Sequence, residues 1–176
     1  MNRDKIKEFE FKTDKYHLIS YFTLMGHRVG YLGMSSEKYK TIEGDNITVH
    51  GGVTFERKLH DEPMDMYIGF DCAHASDSID KLTTKKLFPE AYEQYLSLGM
   101  FNFMTGSVKD RYFVIKWIFA MLKQIQKHKI TEYEDTLLFN YCKENDNWGF
   151  YYRWIVADTL TDDELLFVKL NNLDYY

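Results

Sequence analysis

A chain of 176 residues with 45% apolar and 28% charged side chains has the composition of a folded globular protein, which excludes a disordered one. Its net charge of −5 is the wrong sign for gripping phosphate backbones, so no direct nucleic-acid backbone binding is expected. The longest apolar run, residues 112–122, is about half of the ~20 residues that cross a bilayer and contains Lys116, so no membrane span is expected.

Residues 1–15 are dominated by charge and predict a strand or a short, weakly held helix. Residues 16–25 (YHLISYFTLM) are rich in β-branched and aromatic side chains, and Gly26-His27 breaks the run before residues 28–32. That pattern predicts a β-hairpin turning at Gly26, with His27 as a turn residue. Residues 34–45 show no period and predict a surface loop. Gly30 and Gly33 lack the spacing and the following helix of a phosphate-binding fingerprint. Two β-type runs, 46–50 and 53–56, flank Gly51-Gly52. They predict a hairpin with a two-residue turn, or else glycines that let the backbone come close to a ligand. A third run, 64–70, ends abruptly in DCAHASD.

Helical patterns follow. Pro89 opens PEAYEQYLSL and Gly99 stops it. Residues 107–127 predict the longest helix, started by Ser107 and Asp110, with Lys109, Lys116 and Lys123 at heptad spacing as a solvated stripe. Thr131 with Glu134, and Thr161 with Glu164, form capping boxes ahead of two more helices. The aromatic run 148–157 between them fits a strand or a helix. Strands first and helices after predict an α+β fold in one domain, an antiparallel sheet of N-terminal hairpins packed by C-terminal helices. Isolated helices of ~10 residues are marginal in water, so residues 131–176 are expected to pack as an ordered lid or as a homodimer surface. The charged N-terminal run carries no leader pattern, and Cys72 and Cys142 read as free thiols of a reducing cytoplasm.

The chemistry concentrates in residues 49–77. Asp71, His74 and Asp77 stand three apart, so a helical turn after the strand would bring them together, with His50 at the end of a neighbouring strand as a fourth group. Imidazole with carboxylate suits Zn²⁺, Mn²⁺ or Fe²⁺ and leaves room for a water, the equipment of a metal-dependent, phosphoesterase-like hydrolase. Without a metal the same groups make a ligand-recognition pocket or an acid–base pair. They also serve plain structure, the aspartates as caps and His50 as a turn holder. Cys72 beside Asp71 is a poor nucleophile, because a neighbouring carboxylate opposes the thiolate.

Two motifs, HGGVTF at 50–55 and GFDCAHASD at 69–77, together resemble a family of small phage and prophage proteins with no assigned reaction. The family pattern runs G-H-x-x-G-Y-V, H-G-G-[LIV]-T-[FY], G-F-D-x-A-H-x-x-D and then a long helix. Residues 26–32 are similar to the first element. Residues 109–126 are similar to the helix, with Val114 in register and Gln124 or Gln126 near its end. The family's helix carries a Glu three residues after that Val, where this chain has Trp117. The resemblance implies a phage accessory protein in the cytoplasm of an infected bacterium. Its expected work is counter-defence, by binding a host protein or a small nucleotide-like ligand at His50, Gly51, Gly52, Asp71, His74 and Asp77. Trp117 in place of Glu implies a pocket kept without an activity. The alternative is a metal-dependent hydrolase using His50, Asp71, His74 and Asp77.

Overall fold

In the computed structural model, residues 4–43, 46–102, 106–126, 140 and 144 are described. β1 (Lys5–Lys12), β2 (Tyr16–Thr23) and β3 (Arg28–Met34) form an antiparallel meander, with β2, rich in aromatic and β-branched side chains, buried on both faces. After a short helix, α1 (Ser36–Lys40), come β4 (Phe55–Arg57) and β5 (Met66–Asp71). β5 pairs antiparallel with both β3 and β4, so the sheet order is β1-β2-β3-β5-β4. Beyond β5 lie β6 (Asp77–Ser78), α2 (Lys81–Leu87), α3 (Pro89–Ser97), a 3-10 turn (Met100–Asn102), β7 (Ser107–Val108) and α4 (Arg111–Gln126). The fold is α+β.

Strand alternation sends Phe11, Leu18, Leu32, Ile68 and Phe70 to one face of the sheet, where the buried side of α4 packs on them through Val114, Ile118, Phe119 and Leu122. On the opposite face lie Ile19, Tyr21 and Tyr67, covered by Leu59 and Met64. Three β3–β5 pairs set a glycine against an aromatic ring: Gly30 faces Phe70, Gly33 faces Tyr67 and Gly69 faces Tyr31. Each ring fills the space of the missing side chain, a cross-strand fit that locks the register. α2 and α3 close the end of the β2–β3 hairpin around Ile79, Ala91, Tyr95 and Phe101. Gly26, at φ +79, makes that turn, as the sequence predicts. No helix of the described residues is long and apolar enough to cross a membrane.

Four expectations need correction. Residues 34–45 are not all loop, because Ser35 caps α1 by accepting the Lys38 N–H at 3.2 Å; five helical residues are too few for a period to show. Residues 46–50 are not a strand and Gly51-Gly52 is not a hairpin turn. The Thr48 N–H donates to Gln124 Oε1 at 2.8 Å and the Thr48 C=O accepts from Gln124 Nε2 at 2.7 Å, so one side chain of α4 stands where a partner strand would be. The longest helix starts at Arg111, with Asp110 Oδ1 accepting the Phe113 N–H at 2.8 Å, so Lys109 lies outside it and outside any helical stripe. α2 was not foreseen; its signal is Asp80, whose carboxylate accepts the Thr83 N–H at 3.0 Å. Apart from residues 140 and 144, the segment 131–176 lies outside the described residues, and with it the readings of its capping boxes, its aromatic run, the lid or dimer surface and Cys142.

Candidate functional site

β5 ends at Asp71, and the chain folds back on itself at once. The Ala73 N–H donates to Asp71 Oδ1 (3.0 Å), the Asp77 N–H to the His74 carbonyl (2.9 Å) and the His74 N–H to Asp77 Oδ2 (3.1 Å). Residues 74–77 thus close as a β-turn, with 71–73 tied by the Asp71 side chain, and not as the helical turn that D-x-x-H-x-x-D suggests. Asp77 then enters β6, whose parallel pairing with β7 brings Lys109 alongside.

A second turn faces it. The Gly52 N–H donates to the Val49 carbonyl at 3.0 Å, and Gly51 stands third in that turn at φ +68, a conformation that favours glycine. His50 is therefore carried on a turn, not at the end of a strand. Val49 is buried beneath it, and Thr48 is held by Gln124.

The two turns meet side chain to side chain. His50 Nε2 lies 2.9 and 3.0 Å from the two oxygens of Asp77, which is fully buried. The Lys109 ammonium is 3.6 Å from Asp77 Oδ1. Burial alone would raise the Asp77 pKa, but the hydrogen bonds from His50 and the His74 N–H, and the Lys109 charge, hold it below the usual aspartate value. The His50 and His74 rings meet edge to face with centroids 5.3 Å apart, and Phe113 of α4 packs its ring 5.0 Å from His50. A Cβ on Gly51 would fall on the His74 imidazole, so that glycine is the seat of the ring.

One nitrogen from each histidine and one Asp77 oxygen lie within 4.8 Å of one another. His74 Nε2 is buried without a hydrogen-bond partner, and the nearby Asp71 Oδ1 is 3.8 Å away. Donors at bond lengths of ~2.0–2.1 Å around one tetrahedral ion sit roughly 3.3 Å apart, so a small closing movement would let the three atoms share an ion. Asp71 stands beside this group rather than in it: it tethers Ala73 and borders His74. Gly52 borders open space, with no atom within 4 Å of the Cβ it lacks.

Sequence reasoning missed Lys109, Phe113 and His27. His27 follows the Gly26 turn as expected, yet it is buried, with Nδ1 unpartnered. Burial pulls its pKa down, against a hydrogen bond to the Cys72 backbone and the charges of Asp77 and Asp71, so it lies behind the site. The Cys72 thiol is buried and its pKa is pushed up to about 12, first by burial and then by Asp77 and Asp71, which keeps it protonated and inert.

A second group, Glu10, His17 and Glu62, lies on the sheet face away from α4 and is chemically different. The Tyr67 hydroxyl accepts the Met64 N–H at 3.2 Å and lies 2.8 Å from His17 Nδ1. Both ring nitrogens of His17 are thus engaged, Nε2 with Glu10 at 2.8 Å, and neither is open to a metal. Lys7 bridges Glu10 (2.8 Å) and Glu62 (3.4 Å), and the Tyr21 hydroxyl donates to Glu62. Every member has a partner, so this network is structural. The open groove of about 850 Å³ beside it, lined by Lys5, Tyr21 and Leu59, is capped by the Lys5 ammonium 4.0 Å above the Tyr21 ring. Among the described residues, the unsatisfied metal-capable nitrogen with other donors beside it is His74 Nε2, next to His50 and Asp77. No family model, no curated protein and no solved structure matches this chain.

Proposed function

We propose that His50, His74 and Asp77 hold a divalent transition ion and that the chain acts through it as a metal-dependent hydrolase of a small ligand. The observation that carries this reading is the convergence of three donor atoms within 4.8 Å around a buried His74 nitrogen that has no hydrogen-bond partner. Two imidazoles and one carboxylate match zinc by donor type, with Mn²⁺ and Fe²⁺ as the alternatives. Such an ion would supply an open position at which a water or a ligand oxygen is polarised. Asp77 orients His50, the His74 N–H steadies Asp77, and Phe113 walls one side against solvent.

Elemental analysis of the purified chain tests the metal. One equivalent of zinc, manganese or iron is expected, with loss in His74→Ala; an apo protein that takes up none of them on titration would sink the reading. Release of p-nitrophenol from bis(p-nitrophenyl) phosphate by the metal-loaded protein then tests hydrolysis.

One observation favours a second reading, a binding protein without turnover. Trp117 lies one helical turn from Phe113, ring to ring at 6.4 Å, and Phe113 packs on His50. An indole thus stands close to the site where the resemblance places a carboxylate. On that reading the chain is a cytoplasmic phage accessory protein whose pocket captures a host protein or a nucleotide-like ligand. Stoichiometric metal without turnover would favour it.

A further inference from the structure

We propose that Lys109 is the anion contact of the His50–His74–Asp77 site, pairing with Asp77 when the donors are metal-free and with a phosphate-class ligand when they hold a divalent ion. This rests on the metal reading and adds the charge class of the ligand and the residue that receives it.

The main chain at Lys109 is pinned, and its ammonium reaches the edge of the Asp77 carboxylate. Its carbonyl accepts from Arg28 Nη1 at 3.0 Å, and buried Arg28 is itself anchored by Glu8 at 2.7 Å and Asp80 at 2.8 Å. Its ammonium donates to Ser107 Oγ, lies 5.1 Å from the centre of the Phe113 ring and stands 3.6 Å from Asp77 Oδ1. That last distance is an ion pair, but it is well beyond the ~2.7–2.9 Å of a charge-assisted hydrogen bond. An Asp77 that ligates the ion keeps the His74 N–H and gains the charge of the metal, so it can give up the lysine without being left bare.

Metal binding would change the balance of charge around that ammonium. An ion ~2.1 Å from Asp77 Oδ1 would lie within about 6 Å of Lys109 as it now stands. A dication and an ammonium at that separation repel by roughly a factor of ten in binding even at the dielectric of water. The charges of ion and Asp77 sum to +1, and Lys109 adds another, so two positive charges face one half-open site. A phosphate-class anion satisfies both, one oxygen on the ion and another on the ammonium, with Phe113 as an apolar wall.

The experiment uses the full chain, wild type and the variants Lys109→Met and Lys109→Arg, each checked by circular dichroism. Zn²⁺ affinity is measured by chelator competition, with and without phenylphosphonate as the phosphate-class probe, and phenylphosphonate is then titrated into zinc-loaded protein. Three results are expected: K109M binds Zn²⁺ about tenfold more tightly than wild type, zinc-loaded K109M loses most of its affinity for phenylphosphonate, and K109R keeps it. In wild type alone, phenylphosphonate should raise the apparent Zn²⁺ affinity, so the proposal can be judged even if K109M does not fold. It is overturned if phenylphosphonate leaves wild-type Zn²⁺ affinity unchanged, if K109M binds the probe as well as wild type does, or if acetate binds as tightly as phenylphosphonate. Zinc binding with no dependence on Lys109 overturns this proposal alone; no zinc binding by wild type overturns the metal reading with it.

Discussion

A methyl group added at Gly51 would fall on the imidazole of His74, while one added at Gly52, at φ +87, would meet nothing within 4 Å. Both residues have positive φ, so alanine at either costs roughly 1–2 kcal/mol of backbone strain. Only at Gly51 does it also push a metal-capable nitrogen out of place. We predict that Gly52→Ala lowers the urea midpoint modestly and keeps metal affinity. Gly51→Ala should lose at least as much stability and most of the metal binding; unchanged zinc affinity in Gly51→Ala would show that His74 is not a ligand. At this scale the motif residues were legible, because His50, His74 and Asp77 do converge. Lys109 was not: its spacing from Lys116 and Lys123 suits a helix, but Asp110 caps that helix one residue too late to include it.

At the scale of elements, the His50 turn depends on a helix 76 residues away in sequence, through the paired hydrogen bonds between Gln124 and Thr48. Gln124→Ala removes both bonds, at about 1 kcal/mol each before water replaces them on this exposed backbone. The expected result is faster amide exchange across residues 46–54 and weaker metal binding, with exchange in β2 and β3 unchanged. Unaltered exchange at 46–54 would show that the turn holds itself. The same contact explains why a hairpin at Gly51-Gly52 reads convincingly in sequence and does not form. Local pattern registers two apolar runs around glycines; it does not register a distant amide that takes the backbone groups a strand would use. The β2–β3 hairpin was legible because its determinants are local, namely a β-branched and aromatic run broken at Gly26, whose φ is positive.

Across the whole molecule, the layers bury two histidines in their neutral form, and this sets how stability responds to acid. His17 and His27 both have pKa values lowered from the ordinary 6.5, in each case by burial first, with opposing help from Glu10 for His17 and from Asp77 and Asp71 for His27. The unfolded chain therefore binds protons at these sites where the folded chain does not. Their contribution is present above pH 6.5 and is lost as pH falls from there toward the folded values. Glu10, Asp77 and Asp80 have lowered pKa values: burial acts against ionisation, but hydrogen bonds and opposite charges outweigh it. Their stabilisation is intact above the unfolded values of 4.5 and 3.8 and fades as pH falls below them. The metal-free protein should accordingly lose stability in two stages, a first decline that begins as pH falls below about 6.5 and a second below about pH 4.5. Urea midpoints measured from pH 8 to pH 3 follow both. Asn at His17 should diminish the first stage while lowering the midpoint at pH 7.5, because it removes the titrating ring and disrupts the bonds to Glu10 and Tyr67. A midpoint flat from pH 7.5 to 5 in the wild-type protein would mean that these histidines gain protons without cost, and that the burial ascribed to them is wrong.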